Sequence, residues 1–191
     1  MSKTLLILGA GGHGRSLAEA ALASKQWADV VFLDDNWPNL KEVMGYPVLG
    51  KVTEIAVKAL HCDGAIAAVG NNVVREQWIT FINHSHIKLV SIVHPFTWVS
   101  PSAEIDAGSA VMAGAVIGAH AVLGKGVIVN AGAVVDHDAK LDDLVHLGVG
   151  VKLAGGVIVG RLAWLQAGCC AGYNVTVPEA EVYTPGTILG I

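Results

Sequence analysis

Charge is the first thing this chain is short of: only 15% of its 191 residues are Asp, Glu, Lys or Arg, and the formal net charge is −4. There is no basic field to hold a phosphate backbone, which argues against a nucleic-acid partner. Long apolar runs are missing too. The N-terminal stretch Thr4 to Leu8 ends in glycines, too short for a signal sequence core or a membrane span, so a cytoplasmic protein is expected. The three cysteines, Cys62, Cys169 and Cys170, have neither a CxxC nor a metal-site spacing, and their odd number does not suit a disulfide framework. What is abundant is glycine, 23 residues. So many glycines beside so little charge point to many tight turns around an apolar interior.

The two halves of the chain read in different periods, so two domains are expected, 1–94 and 95–191. From Val99 an aliphatic residue returns at every sixth position, through Ile105, Val111 and Ile117, without a slip to Leu165. Four residues after each comes a small or β-branched residue, from Ala103 and Ser109 to Ala163 and Cys169. A six-residue period fits short strands joined by turns, three of which close one triangular coil of a parallel β-helix. Gly108, Gly114, Gly126, Gly132, Gly150, Gly156 and Gly168 all occupy the fourth place of the repeat, where a turn needs an unhindered backbone. Roughly five coils follow from that length, each relying on its neighbours for a core. Beyond Leu165 the pattern loosens, as in an atypical terminal cap.

The first half has a different logic. Thr4 to Leu8 reads as a strand running into Gly9-Ala10-Gly11-Gly12-His13-Gly14, followed by a helix over Ser16 to Ala23. Val30 to Leu33 is the next strand, ending at Asp34 and Asp35. A glycine turn between strand and helix brings backbone N–H groups to phosphate oxygens, and an acidic pair after the second strand can hold ribose or sugar hydroxyls. Gly64 to Val69 supplies another strand, ending in Gly70-Asn71-Asn72 before a helix from Val74. This is room for little more than one half of a dinucleotide-binding fold, which suits a nucleotide-sugar better than a whole dinucleotide. The asparagines read equally well as a plain strand-to-helix turn.

The series GAGGHG, FLDD, VGNN and HPFTWVSPSAEI, leading into hexapeptides, resembles the bacterial sugar acetyltransferases typified by the sialic-acid O-acetyltransferase and the UDP-4-amino-sugar N-acetyltransferase PglD. The resemblance implies an α/β Rossmann-like half-domain followed by a left-handed parallel β-helix, assembled as a homotrimer. It implies acetyl-CoA as co-substrate, a UDP-amino-sugar acceptor and no metal. Carried over by motif, Gly12, His13, Asp34, Asp35 and Gly70 would contact the nucleotide-sugar. VGNN followed by Arg75 favours the amino-sugar branch.

For the chemistry, acetyl transfer from a thioester needs a base near the nucleophile and donors near the developing oxyanion. His137, at the outward third place of its hexapeptide, has the residue type and the exposure for that base. In the resembling N-acetyltransferases a catalytic histidine stands here, followed by glutamate; here Asp138 follows. His146, nine residues on, matches a histidine that contacts the thioester region, and Gly155 and Ala167 would line the acetyl-CoA groove. His94, beside Pro95, and His120, at a turn place, read as structural. Three alternatives stay open: O-acetylation of a sialic-acid-type sugar, a zinc hydratase resembling γ-type carbonic anhydrase, and a non-catalytic sugar-nucleotide-binding protein.

Overall fold

A computed structural model describes residues 3–190, and the chain passes from one compact unit to a second between Ile92 and Val93. In the first unit, β1 (Thr4–Leu8), α1 (Gly12–Ala23), β2 (Asp29–Leu33), β3 (Gly64–Ala67) and α2 (Asn72–His84) build a parallel sheet in the order β2-β1-β3. Leu5 pairs with Val30 on one side and with Gly64 on the other. Leu5 to Leu8 are wholly buried, as a parallel strand covered on both faces must be. The covering helices are amphipathic: α1 buries Gly14, Leu17, Ala18 and Ala21, and α2 buries Asn72, Arg75, Ile79 and Ile82, both at helical spacing. Val48 beside Phe32 and Leu89 beside Ala65 extend the sheet by a single bridge at each edge. The chain leaves β1 to one side and returns on the other, so the carboxyl ends of β1 and β3 flank the switch point where such sheets open a crevice.

The second unit is a left-handed parallel β-helix. Two-residue strands recur every sixth position from Trp98–Val99 to Ile188–Leu189, and each pairs in parallel with the strand eighteen residues away, as in Val116↔Val134 and Ile117↔Val135. The aliphatic series points inward: Ile117, Val129, Val135, Leu147 and Leu165 are wholly buried, and Ala115, Ala133 and Ala163 fill the corners. Each such aliphatic side chain contributes about 1.5–3 kcal/mol by leaving water.

Two expectations shift. α1 starts at Gly12, four residues before Ser16, so the last glycines of the loop are already its first turn. The coil also does not fray after Leu165. Cys170 and Ala171 pair with Ile188 and Leu189, and Trp164 with Val182, so the repeat runs to the end of the described chain. The loosening is one of composition. Every fourth place from Gly108 to Gly186 has φ between 57° and 78°, but His120, Asp138, Leu144, Leu162, Asn174 and Ala180 hold it without being glycine. The stacked ladder over-determines that conformation and carries its local cost.

Candidate active site

The glycine loop divides its labour. Gly9 has φ +100°, and a Cβ there would lie 2.9 Å from both the Ala68 carbonyl and the Trp78 ring. A Cβ on Gly14 would run into the Gly9 carbonyl, so this glycine lets helix and loop pack. Gly11 and Gly12 are exposed with open space where side chains would be, at the N-terminus of α1. Backbone N–H donors at a helix N-terminus are thus left unobstructed by side chains there.

His13 follows within the first turn. Its Nε2 is buried and has no hydrogen-bond partner among the described residues. Burial, and then the charge of Arg75, push its imidazole down from 6.5 to about 4, so it is neutral at physiological pH. Arg75 is wholly buried. Its guanidinium donates to the carbonyls of Val69 (3.1 Å) and Gly70 (3.3 Å) and to Asn72 Oδ1 (2.8 Å), tying down the turn after β3. Asn71 caps α2 by accepting the Val74 N–H at 3.1 Å. Gly70, Asn71, Asn72 and Arg75 therefore form one internally bonded turn.

The acidic pair is engaged as well. Asp34 accepts the N–H groups of Ala10 (2.8 Å) and Asn36 (2.9 Å), one on each carboxylate oxygen, and so pins the glycine loop to the end of β2. Asp35 is exposed and accepts the Val52 N–H at 3.1 Å. Each carboxylate keeps lone pairs for a hydroxyl donor.

In the second unit His137 and Asp138 lie exposed at one corner of the coil. The His137 Nδ1 and Asp138 Oδ2 are 2.8 Å apart, and Asp136 Oδ1 accepts the His137 N–H at 2.8 Å. The hydrogen bond to Asp138, then the Asp136 charge, raise the imidazole above its ordinary value. Asp138 sits at φ +60°, which turns its short carboxylate back onto the ring. The geometry gives a histidine with one nitrogen tied to a carboxylate and Nε2 left to exchange a proton.

Gly155, at the same corner on the next coil, is buried against that ring. Ala167 is exposed at a different corner, in the column of Val149. His146 is 8% accessible and stacks on Trp164, eighteen residues on, with centroids 5.2 Å apart and planes at 7°. Its neighbour Leu147 fills the interior, so His146 projects outward and is then covered. Trp164 was not singled out from the sequence, although adding one coil length to His146 reaches it. His94 Nδ1 accepts the Phe96 N–H at 3.0 Å, and the His120 N–H donates to Ser102 Oγ at 3.1 Å, both local structural bonds. Among the described residues no three His, Cys, Asp or Glu side chains converge as a metal-binding group. No helix among them is long and apolar enough to cross a membrane.

Residues 4–82 match the family of the PglD N-terminal domain. The acetyltransferase domain of PglB from Neisseria gonorrhoeae FA1090, solved with acetyl coenzyme A, is 37% identical; its TM-score is 0.92, over 99% of this chain and 93% of that one. A mutant of perosamine N-acetyltransferase from Caulobacter crescentus, solved with CoA and GDP-perosamine, is 31% identical with a TM-score of 0.85, over 98% and 91%. WeeI from Acinetobacter baumannii AYE shares the fold at 20% identity, with a TM-score of 0.80 over 100% and 95%. With the PglB and perosamine N-acetyltransferase matches running the length of both units, the chain belongs to the PglD-like family of hexapeptide-repeat sugar acetyltransferases.

Proposed function

We propose that this protein transfers the acetyl group of acetyl-CoA to the amine of a UDP-linked 4-amino-4,6-dideoxy sugar, with His137 as general base. The observation that carries the reading is the exposed His137–Asp138 pair, 2.8 Å apart on a β-helix corner. The amine nitrogen attacks the thioester carbonyl carbon while His137 Nε2 takes the nitrogen's proton. The C–S bond then breaks, the proton passes to the departing sulfur, and the products are the acetamido sugar and CoA. Asp138 holds Nδ1 and so selects the tautomer that leaves Nε2 free to accept.

The nucleotide-sugar binds at the glycine loop of the first unit. Open space at Gly11 and Gly12 and the helix N-terminus suit a diphosphate. The neutral His13 stands in the first turn of that helix, and Asp34, Asp35 and the Gly70 turn border the crevice. On the β-helix His146, Gly155 and Ala167 line the acetyl-CoA groove. The relatives solved with acetyl coenzyme A or CoA support that ligand, and the one solved with GDP-perosamine supports an amino-sugar nucleotide. A homotrimer accounts for the large apolar side chains that the single chain leaves in water, among them Phe96 and Trp98 at 77% and 63% exposure.

The test is CoA release by the purified protein, with acetyl-CoA and a panel of UDP-amino sugars, GDP-amino sugars and hydroxyl acceptors such as sialic acid. Turnover on a UDP-amino sugar, falling about 10²- to 10⁴-fold in His137→Ala, is expected. Turnover confined to GDP sugars or to hydroxyl acceptors would replace the acceptor assignment. Full turnover in His137→Ala would remove the base.

A further inference from the structure

Gly155 stands where the repeat does not ask for glycine. Its φ is not in the left-handed region, unlike that of Gly156 at +69°, and other third-place positions carry Lys125, Val149 and Arg161. Backbone geometry therefore admits a side chain, and the atoms one would displace are those of the His137 ring. A Cβ on Gly155 would overlap Cε1 of the imidazole and lie 2.5 Å from Nε2 and 3.1 Å from Nδ1. Gly118, on the preceding coil, differs in kind. A Cβ there would meet backbone, 2.7 Å from the His137 nitrogen, and Gly148 and Gly160 meet backbone of the next coil just as closely. That tightness belongs to the repeat; the contact at Gly155 is with one side chain. Coil stacking holds the two in register, the Gly156 N–H donating to the His137 carbonyl at 2.9 Å.

We infer that Gly155 is a positioning residue: the space left by its missing side chain is the seat of the His137 ring, and that seat keeps the ring turned toward Asp138. The inference rests on His137 as the base proposed above. It gives Gly155 a role distinct from lining the acetyl-CoA groove, because it acts on the histidine whether or not the cofactor is bound. The charged groups facing His137 are Asp136 and Asp138 on its own coil. The adjoining coils place Ala119 and His120 on one side and Gly155 and Gly156 on the other.

The test uses full-length Gly155→Ala, with Gly172→Ala as control, since a Cβ on Gly172 meets only the Gly190 and Leu189 carbonyls at 3.5 and 3.8 Å. In Gly155→Ala the ring is expected to swing off its seat and lose Asp138. The His137 resonance in NMR should then titrate at lower pH than in the parent, and kcat should fall tenfold or more, whatever the change in KM for acetyl-CoA. A raised KM with kcat and titration unchanged would show that Gly155 only lines the groove, and overturn the inference. A thermal readout guards against a merely misfolded variant. Gly155→Ala should lower the Tm of the parent and leave that of His137→Ala untouched, because without the ring the seat is empty. Equal losses in both backgrounds would overturn the inference. If His137→Ala retained turnover, the base reading would fall alone, and the titration would still decide the seating.

Discussion

At the scale of single residues, His137 and His13 are tuned in opposite directions by their surroundings. His137 is exposed, and its bond to Asp138 raises it. A base works when deprotonated, so the ascending limb of the pH–rate profile should lie above the position of an ordinary imidazole. Asp138→Asn should move that limb to lower pH and cut kcat roughly tenfold or more, since the tautomer is no longer enforced. An unmoved limb would exclude the Asp138 role. His13 is lowered to about 4 because it is buried beside Arg75. A depressed folded pKa means the unfolded chain binds the proton more readily. This group's contribution is thus present above pH 6.5 and lost as pH falls toward 4, about 3 kcal/mol at the upper limit. The melting temperature of the parent should drop over that interval, and that of His13→Gln should drop less.

At the scale of the element, the hexapeptide explains both the stability of the coil and what it tolerates. Leu147→Ala removes a wholly buried layer and should cost about 2–5 kcal/mol in urea unfolding. Ala180 is exposed and held at φ +59°, so Ala180→Gly should stabilise by about 0.5–1 kcal/mol in the same measurement. Inward places were legible because only aliphatic residues can fill them and their spacing is constant. The continuation past Leu165 was legible in length but not in its regularity, because Asn174 and Ala180 hide the turn place from a search for glycine, while the hydrogen-bond ladder that enforces it is invisible in a linear sequence. The loop GAGGHG was legible as a strand-turn-helix junction. That its helix starts at Gly12 depends on how the Gly9 carbonyl packs against Gly14.

At the scale of the whole molecule, a β-helix that leaves Phe96, Trp98, Tyr173 and Ile188 in water has apolar surface to cover. Sedimentation should give three times the 19.8 kDa chain mass, and Trp98→Asp should shift the distribution toward monomer while keeping the coil's circular dichroism. A monomer at every concentration would exclude the homotrimer. The sequence by itself determined the β-helix and the half-size α/β unit before it, because periodicity and turn chemistry are local and repeat along the chain. Only the tertiary structure decided that Asp34 pins the glycine loop, that Arg75 is locked into its own turn, that His146 is covered by Trp164 and that Gly155 packs against the His137 ring. Each of those depends on residues brought together across strands or coils, where a side chain's partner is chosen by stacking and not by its neighbours in sequence.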